Sequence, residues 1–222
     1  MYTGTCAVIE SYLRRPGAKK LHLGCGRNTL SGWLNTDLEP CSADIARIDM
    51  TERLPFGDAC FDYMFSEHVI EHLSYEQGLG MLCECHRVLR PGGRIRIATP
   101  DLAFLVDLYA AEKSDLQLRY IDWATVGYVS KAPVRADTFV INNFVRNWGH
   151  TFIYDEKVLR VSLYLAGFRA MTRCALNDSS DENLCNLENE ERLPPGFLRL
   201  ETFTLEGSKV QASSSAAAGR HG

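Results

Sequence analysis

A short apolar run, residues 19–23, passes directly into Gly24-Cys25-Gly26, and this junction restricts the fold more than any other feature. Glycines at the end of a strand let the backbone turn sharply and come close to a ligand where no side chain would fit. The run is also the first of a series. Residues 33–38 read as a second strand carrying Asp37 at its end, residues 43–48 as a third stopped by Asp49, and residues 61–66 as a buried central strand. Ser74 and Gln77 have capping-box spacing, and Leu79, Leu82, His86 and Leu89 follow at helical intervals. Pro91-Gly92-Gly93 is expected to end that helix, and residues 94–99 form the next strand. Strands alternating with helical or turn-rich segments specify a parallel α/β sheet.

Residues 101–150 break the rhythm. They are rich in aromatics, including Phe104, Tyr120, Trp123, Tyr128, Phe144 and Trp148, and too long for an ordinary connection. The expectation is an inserted helical cap that packs mostly on itself and sends one or two rings towards a pocket. An amphipathic helix over 155–167 follows, with Gly167 as its C-terminal cap and strands at 168–176 and 198–205. The acidic, Asn-rich stretch between those strands, 177–196, reads as a mobile loop. One domain over 1–206 and a disordered, low-complexity tail over 207–222 complete the reading.

The chain has 222 residues and a net charge of −4, so a strongly basic nucleic-acid footprint is absent. No apolar stretch approaches the roughly 18–20 residues that span a bilayer. The N-terminal segment lacks a basic-then-apolar leader, so a cytoplasmic location is expected. The eight cysteines include no CxxC pair and read as free thiols of a reducing compartment. The Gly24-x-Gly26 turn lacks the third glycine of a dinucleotide fingerprint, and Asp37 follows Gly24 sooner than the roughly 20 residues of that pattern. A loop holding a small zwitterion, with an acid accepting ribose hydroxyls, fits better than a pyrophosphate cradle. His68-Val-Ile-Glu71-His72 matches a zinc signature, but a third ligand is not evident and the segment directly follows a buried strand. No metal is expected.

Four segments together resemble the class I S-adenosylmethionine-dependent methyltransferases, most closely their type-11-like small-molecule branch. These are LHLGCG at 21–26, MTERLPFGDACFD at 50–62, SEHVIEHL at 66–73 and RVLRPGG at 87–93. Residues 150–206 match more loosely, and the short Gly24–Asp37 interval departs from the pattern where the first helix would lie. The resemblance implies a Rossmann-like seven-stranded, mostly parallel sheet with helices on both faces, its last strand antiparallel. It also implies S-adenosylmethionine as cofactor and methyl transfer to an O, N or C nucleophile of a small-molecule acceptor. Gly24, Cys25 and Gly26 would pass the methionine part of the cofactor, and Asp37 would accept from the ribose hydroxyls. Leu38 would pack on adenine, Asp49 and the Met50 backbone would read its edge, and Ser66 would close the methionine side through its backbone. His68 and His150 are the candidates for a general base, by their near-neutral titration. His72 reads as structural. The same fold without turnover, as a sensor or partner subunit, is the alternative.

Overall fold

The computed structural model describes residues 3–129 and 131–211. Its strands are β1 (Lys20–Leu23), β2 (Leu34–Asp37), β3 (Ala46–Arg47), β4 (Phe61–Glu67), β5 (Leu89–Pro100), β6 (Arg169–Cys174) and β7 (Thr202–Ser208). They form one sheet in the order β3-β2-β1-β4-β5-β7-β6. All neighbours are parallel except β7, which runs antiparallel to β5 and β6. The strand order reverses between β1 and β4. In open α/β sheets a ligand crevice lies beyond the carboxyl ends of strands at such a point. β4, whose hydrophobic residues Phe61, Met64 and Phe65 are fully buried, pairs on both edges.

The helices are α1 (Thr3–Leu13), α2 (Tyr75–Val88), α3 (Leu102–Tyr109), α4 (Asp115–Tyr128), α5 (Asp137–Arg146), α6 (Glu156–Leu165) and α7 (Phe197–Glu201). No helix joins β1 to β2, in keeping with the short Gly24–Asp37 interval. The capping box is present: Ser74 Oγ accepts from the Gln77 amide at 3.2 Å, and Gln77 Oε1 accepts from the Ser74 amide at 3.0 Å. Gly78 inside α2 has a packing reason, since a Cβ there would lie 2.6 Å from the Tyr154 hydroxyl.

Several local expectations are corrected. α2 stops at Val88, and Pro91-Gly92-Gly93 lies within β5 instead of ending the helix. The β4–β5 register jumps from Phe61↔Leu89 to Tyr63↔Arg94, so the three residues form an irregularity in the strand. Residues 197–201 are helical, and the last strand starts only at Thr202 and runs through Ser208. Of the tail expected at 207–222, Gly207 and Ser208 belong to β7, and residues 212–222 lie outside the described ones. The acidic 177–196 segment is packed on the sheet: Leu184, Leu187 and Glu188 are buried, with Leu184 and Leu187 against Phe65 and Ala98. Helices α3, α4 and α5 share a hydrophobic cluster with α7, built on Phe104, Leu108, Tyr120, Val140, Phe144 and Phe197.

Candidate functional site

The loops after β1, β2, β3 and β4 converge on a cavity of about 500 Å³, within the range of ligand pockets. Its walls include Gly24, Cys25, Gly26, Asp37, Leu38, Asp49, Met50 and His68, so every cofactor residue expected from the sequence is there except Ser66. Ser66 is a correction. It pairs with Leu23 inside the sheet, its hydroxyl is buried without a hydrogen-bond partner among the described residues, and the wall is formed by Glu67 and His68 beyond it.

Asp37 shapes the glycine turn. Its Oδ2 accepts from the Gly26 amide at 2.7 Å and its Oδ1 from the Glu39 amide at 2.9 Å. Asp49 closes its own turn, accepting from the Thr51 amide at 2.9 Å and hydroxyl at 2.6 Å. These bonds hold its carboxyl below the usual range. Leu38 is 45% exposed and offers the cavity an apolar face. Gly24 has φ +64°, and a Cβ there would overlap the Val69 side chain. Gly24→Ala should therefore cost about 1–3 kcal/mol of stability from the backbone conformation alone. Denaturant unfolding of the variant checks this, and an unchanged midpoint would refute the strain argument.

A second cavity of about 390 Å³ adjoins the first, sharing His68, His72 and Arg192 with it. The cap contributes Trp123, Tyr128, Phe144 and Trp148, and the sheet side contributes Glu71 and Glu201. His68 opens this region with φ +51°, a left-handed turn that carries the chain from β4 into a 3-10 turn at Ile70–His72. The Glu71 carbonyl then accepts from the Thr151 and Phe152 amides at 2.7 and 3.1 Å. That pairing ties the segment after α5 to the end of β4 and sets the His72 and His150 rings 5.1 Å apart, tilted by 60°.

Of the two histidines expected to act as base, His68 is poorly suited. Its side chain is 6% exposed, its Nε2 lies 2.7 Å from the Thr202 hydroxyl, and burial with the nearby Arg192 charge holds its pKa well below normal. His150 does reach the second cavity. Its Nδ1 donates to the Phe144 carbonyl at 2.6 Å, which leaves Nε2 with a lone pair. Burial also lowers the pKa of His72 and His150.

Several site residues were not anticipated. Glu67 is buried in the first cavity's wall, accepts from the Asn189 amide at 3.1 Å, and is pushed up to about 7 by burial. Glu71, fully buried, is pushed up to about 8 by burial, and its Oε2 accepts from the Thr99 hydroxyl at 3.1 Å. Glu201 is pushed up to about 7 by burial and accepts from the Tyr120 hydroxyl at 2.5 Å. Arg192 is exposed and lines both cavities.

Residues 21–97 match a family model described as a methyltransferase domain, of the type-11 kind. An uncharacterized 37.1 kDa protein in a Streptomyces fradiae transposon is 28% identical over 118 residues, 42% of this chain and 33% of that protein. The match therefore spans about a third of that relative's length. A crystal structure of an S-adenosylmethionine-dependent methyltransferase from Archaeoglobus fulgidus is similar with TM-score 0.52 at 14% identity, covering 92% of both chains. One from Mesorhizobium loti has TM-score 0.52 at 12% identity, covering 94% of this chain and 99% of that one. At such identities these two establish the fold alone. The segment 21–97 supplies every wall residue of the first cavity except Asn189 and Arg192. Residues 21–97, about a third of the chain, thus match a methyltransferase domain, and the chain has the fold of these two S-adenosylmethionine-dependent methyltransferase structures.

Proposed function

We propose that the first cavity holds S-adenosylmethionine and that the second holds a small-molecule acceptor whose O, N or C nucleophile receives the methyl group. The observation that carries this reading is the pair of adjoining cavities with common walls at His68, His72 and Arg192. A sensor would need only the first of them.

The residues present fit the cofactor. The Gly24–Gly26 turn presents backbone where side chains would intrude, Asp37 offers carboxylate lone pairs at the end of β2, and Leu38 an apolar face. Glu67 offers carboxyl oxygens and Arg192 a positive charge to the same cavity, groups that can meet the ammonium and the carboxylate of a zwitterion. When bound, the sulfonium supplies a methyl carbon already primed for in-line attack. The protein's own part is then alignment and exclusion of water, and alignment can contribute roughly 7–11 kcal/mol to lowering a barrier. Trp123, Tyr128 and Trp148 would stack on a flat or apolar acceptor body. His150, with its Nε2 lone pair free, lines the second cavity. Cys25 and Cys85, buried as thiols, suit a reducing compartment, and we place the chain in the cytoplasm. Among the described residues no helix is long and apolar enough to cross a membrane.

Calorimetric titration with S-adenosylmethionine and S-adenosylhomocysteine tests the cofactor site. Asp37→Ala should weaken both by about 10- to 100-fold, the loss expected for hydrogen bonds to a charged group. Wild-type protein that binds neither ligand, or a variant that binds both as tightly as wild type, would refute the assignment. Turnover with a panel of hydroxyl, amine and carbon acceptors separates the enzyme from the sensor.

A further inference from the structure

The zinc-like spacing of His68, Glu71 and His72 lacked a third ligand in the sequence. In the folded chain the cap's return segment supplies one, and it is not the ligand set that the spacing suggested. Ligand atoms of Glu71, His72 and His150 all lie within 4.8 Å of one another, in the second cavity. His68 is not in that group: its Nε2 lies 2.7 Å from the Thr202 hydroxyl, and its Nδ1 lies 3.4 Å from Glu71 Oε1.

Two further observations point to a ligand. The Glu71 side chain is fully buried, yet its Oε1 makes no hydrogen bond among the described residues, with His68 Nδ1 3.4 Å and His72 Nε2 3.9 Å away. A buried carboxylate oxygen left without a donor bears its whole desolvation cost, and such atoms are rare in folded proteins. The imidazoles are also oriented from behind. His150 Nδ1 donates to the Phe144 carbonyl at 2.6 Å, fixing the tautomer that leaves Nε2 free. The His72 Nδ1 is turned to the Gly149 side, and its Nε2 lies 3.9 Å from Glu71 Oε1. Backbone carbonyls behind the distal ring nitrogen are the usual support of metal-ligating histidines.

We propose that Glu71, His72 and His150 form a binding site for a divalent transition-metal ion, zinc by its donor set, at the floor of the acceptor cavity. Two imidazoles and one carboxylate with a side open to a cavity make a catalytic set rather than a closed structural one. The ion and the nearby Arg192 would together favour an acceptor that presents an oxygen. The role of the ion, though not its binding, rests on the methyltransferase reading. Lewis-acid polarisation would ease loss of the acceptor's hydroxyl proton to water. The oxygen lone pair then forms the new O–CH3 bond while the S–CH3 pair stays on sulfur, releasing S-adenosylhomocysteine.

The test uses the full chain, treated with a chelator and titrated with Zn2+ against a chromophoric competitor. Co2+ in place of Zn2+ gives visible ligand-field bands. One equivalent should bind, and Mg2+, which prefers oxygen ligands, should not compete. His150→Ala and Glu71→Gln, the second nearly isosteric and so expected to fold, should each weaken Zn2+ binding by at least about 10- to 100-fold. Both should keep S-adenosylhomocysteine binding in the first cavity. No uptake of Zn2+ or Co2+ by wild-type protein, or equal affinity in wild type and both variants, overturns the site. Zn2+ binding that survives when S-adenosylhomocysteine does not bind would support the site and refute the methyltransferase reading. Turnover unaffected by chelation would overturn the catalytic role.

Discussion

Arg96→Met should lower the unfolding free energy by about 3–5 kcal/mol, the loss typical when one partner of a buried charge network is removed. The melting temperature should fall by roughly 6–20 °C for a chain of this size. Arg96 sits in the middle of β5 with no exposed side-chain surface, and each of its donor nitrogens has a partner. Nε and Nη2 grip the two oxygens of Glu188 at 2.6 and 3.0 Å, and Nη1 reaches Glu206 at 2.6 Å. The Asp178 and Ala175 carbonyls accept at 2.9 and 3.0 Å. A methionine of similar reach would leave the Glu188 carboxylate buried without its cation and Glu206 with Arg94 alone, at 2.6 Å on its other oxygen. The effect should extend to ligands, because the same network clamps the segment that carries Asn189 and Arg192 to the cavities. Adding Glu188→Gln to the variant should restore part of the loss, since the buried charge left without its cation is then gone. Urea unfolding checks both steps. A single variant within about 1 kcal/mol of wild type would show that the network does not hold the segment down.

That network also explains what the sequence concealed. The glycine turn, Asp37 and Asp49 were legible because each lies at the end of a strand whose apolar run is local, and the turn residues announce themselves. The capping box was legible for the same reason. Residues 177–196 were misread because acidic and Asn-rich composition ordinarily means a solvated loop, and nothing within the segment shows that Arg96 meets Glu188 across the sheet. Glu67 was passed over because its partner amide, at Asn189, is 122 residues away along the chain. Ser66 was chosen where Glu67 and His68 do the lining, because the resemblance locates the segment while the exact end of β4 decides which residue passes the sheet edge. Glu71 looked like part of a helical zinc motif. The left-handed turn at His68 instead sets up a 3-10 turn, and the ring that joins His72 comes from the cap.

The buried carboxyls give the second large effect, a loss of stability on the alkaline side of neutrality. Burial pushes Glu67 and Glu201 up to about 7 and Glu71 up to about 8. In the unfolded chain each returns to the ordinary carboxylate range near 4.3. Between those values the unfolded state has released the proton and the folded state still holds it, so unfolding becomes more favourable as pH rises. The slope is about 1.4 kcal/mol per pH unit for each such group. It ends once the folded pKa is passed. The buried histidines act in the opposite sense. Burial lowers His22 to about 4 and holds His68, His72 and His150 below their ordinary value. Their contribution is present above the unfolded pKa near 6.5 and is lost as pH falls below it. Stability should therefore peak near pH 6–7 and decline by about 2–3 kcal/mol towards pH 8, where only the carboxyls still titrate. Glu201→Gln keeps an acceptor for the Tyr120 hydroxyl while removing one ionisation, so it should make the decline above pH 6.5 shallower and steepen the rise from pH 5 to 6.5 by about 1.4 kcal/mol per pH unit. Urea unfolding in chelator-containing buffers from pH 5 to 8 provides the comparison. A wild-type profile flat above pH 6.5, or a Glu201→Gln profile parallel to it, would mean that these carboxyls reach water in the folded protein.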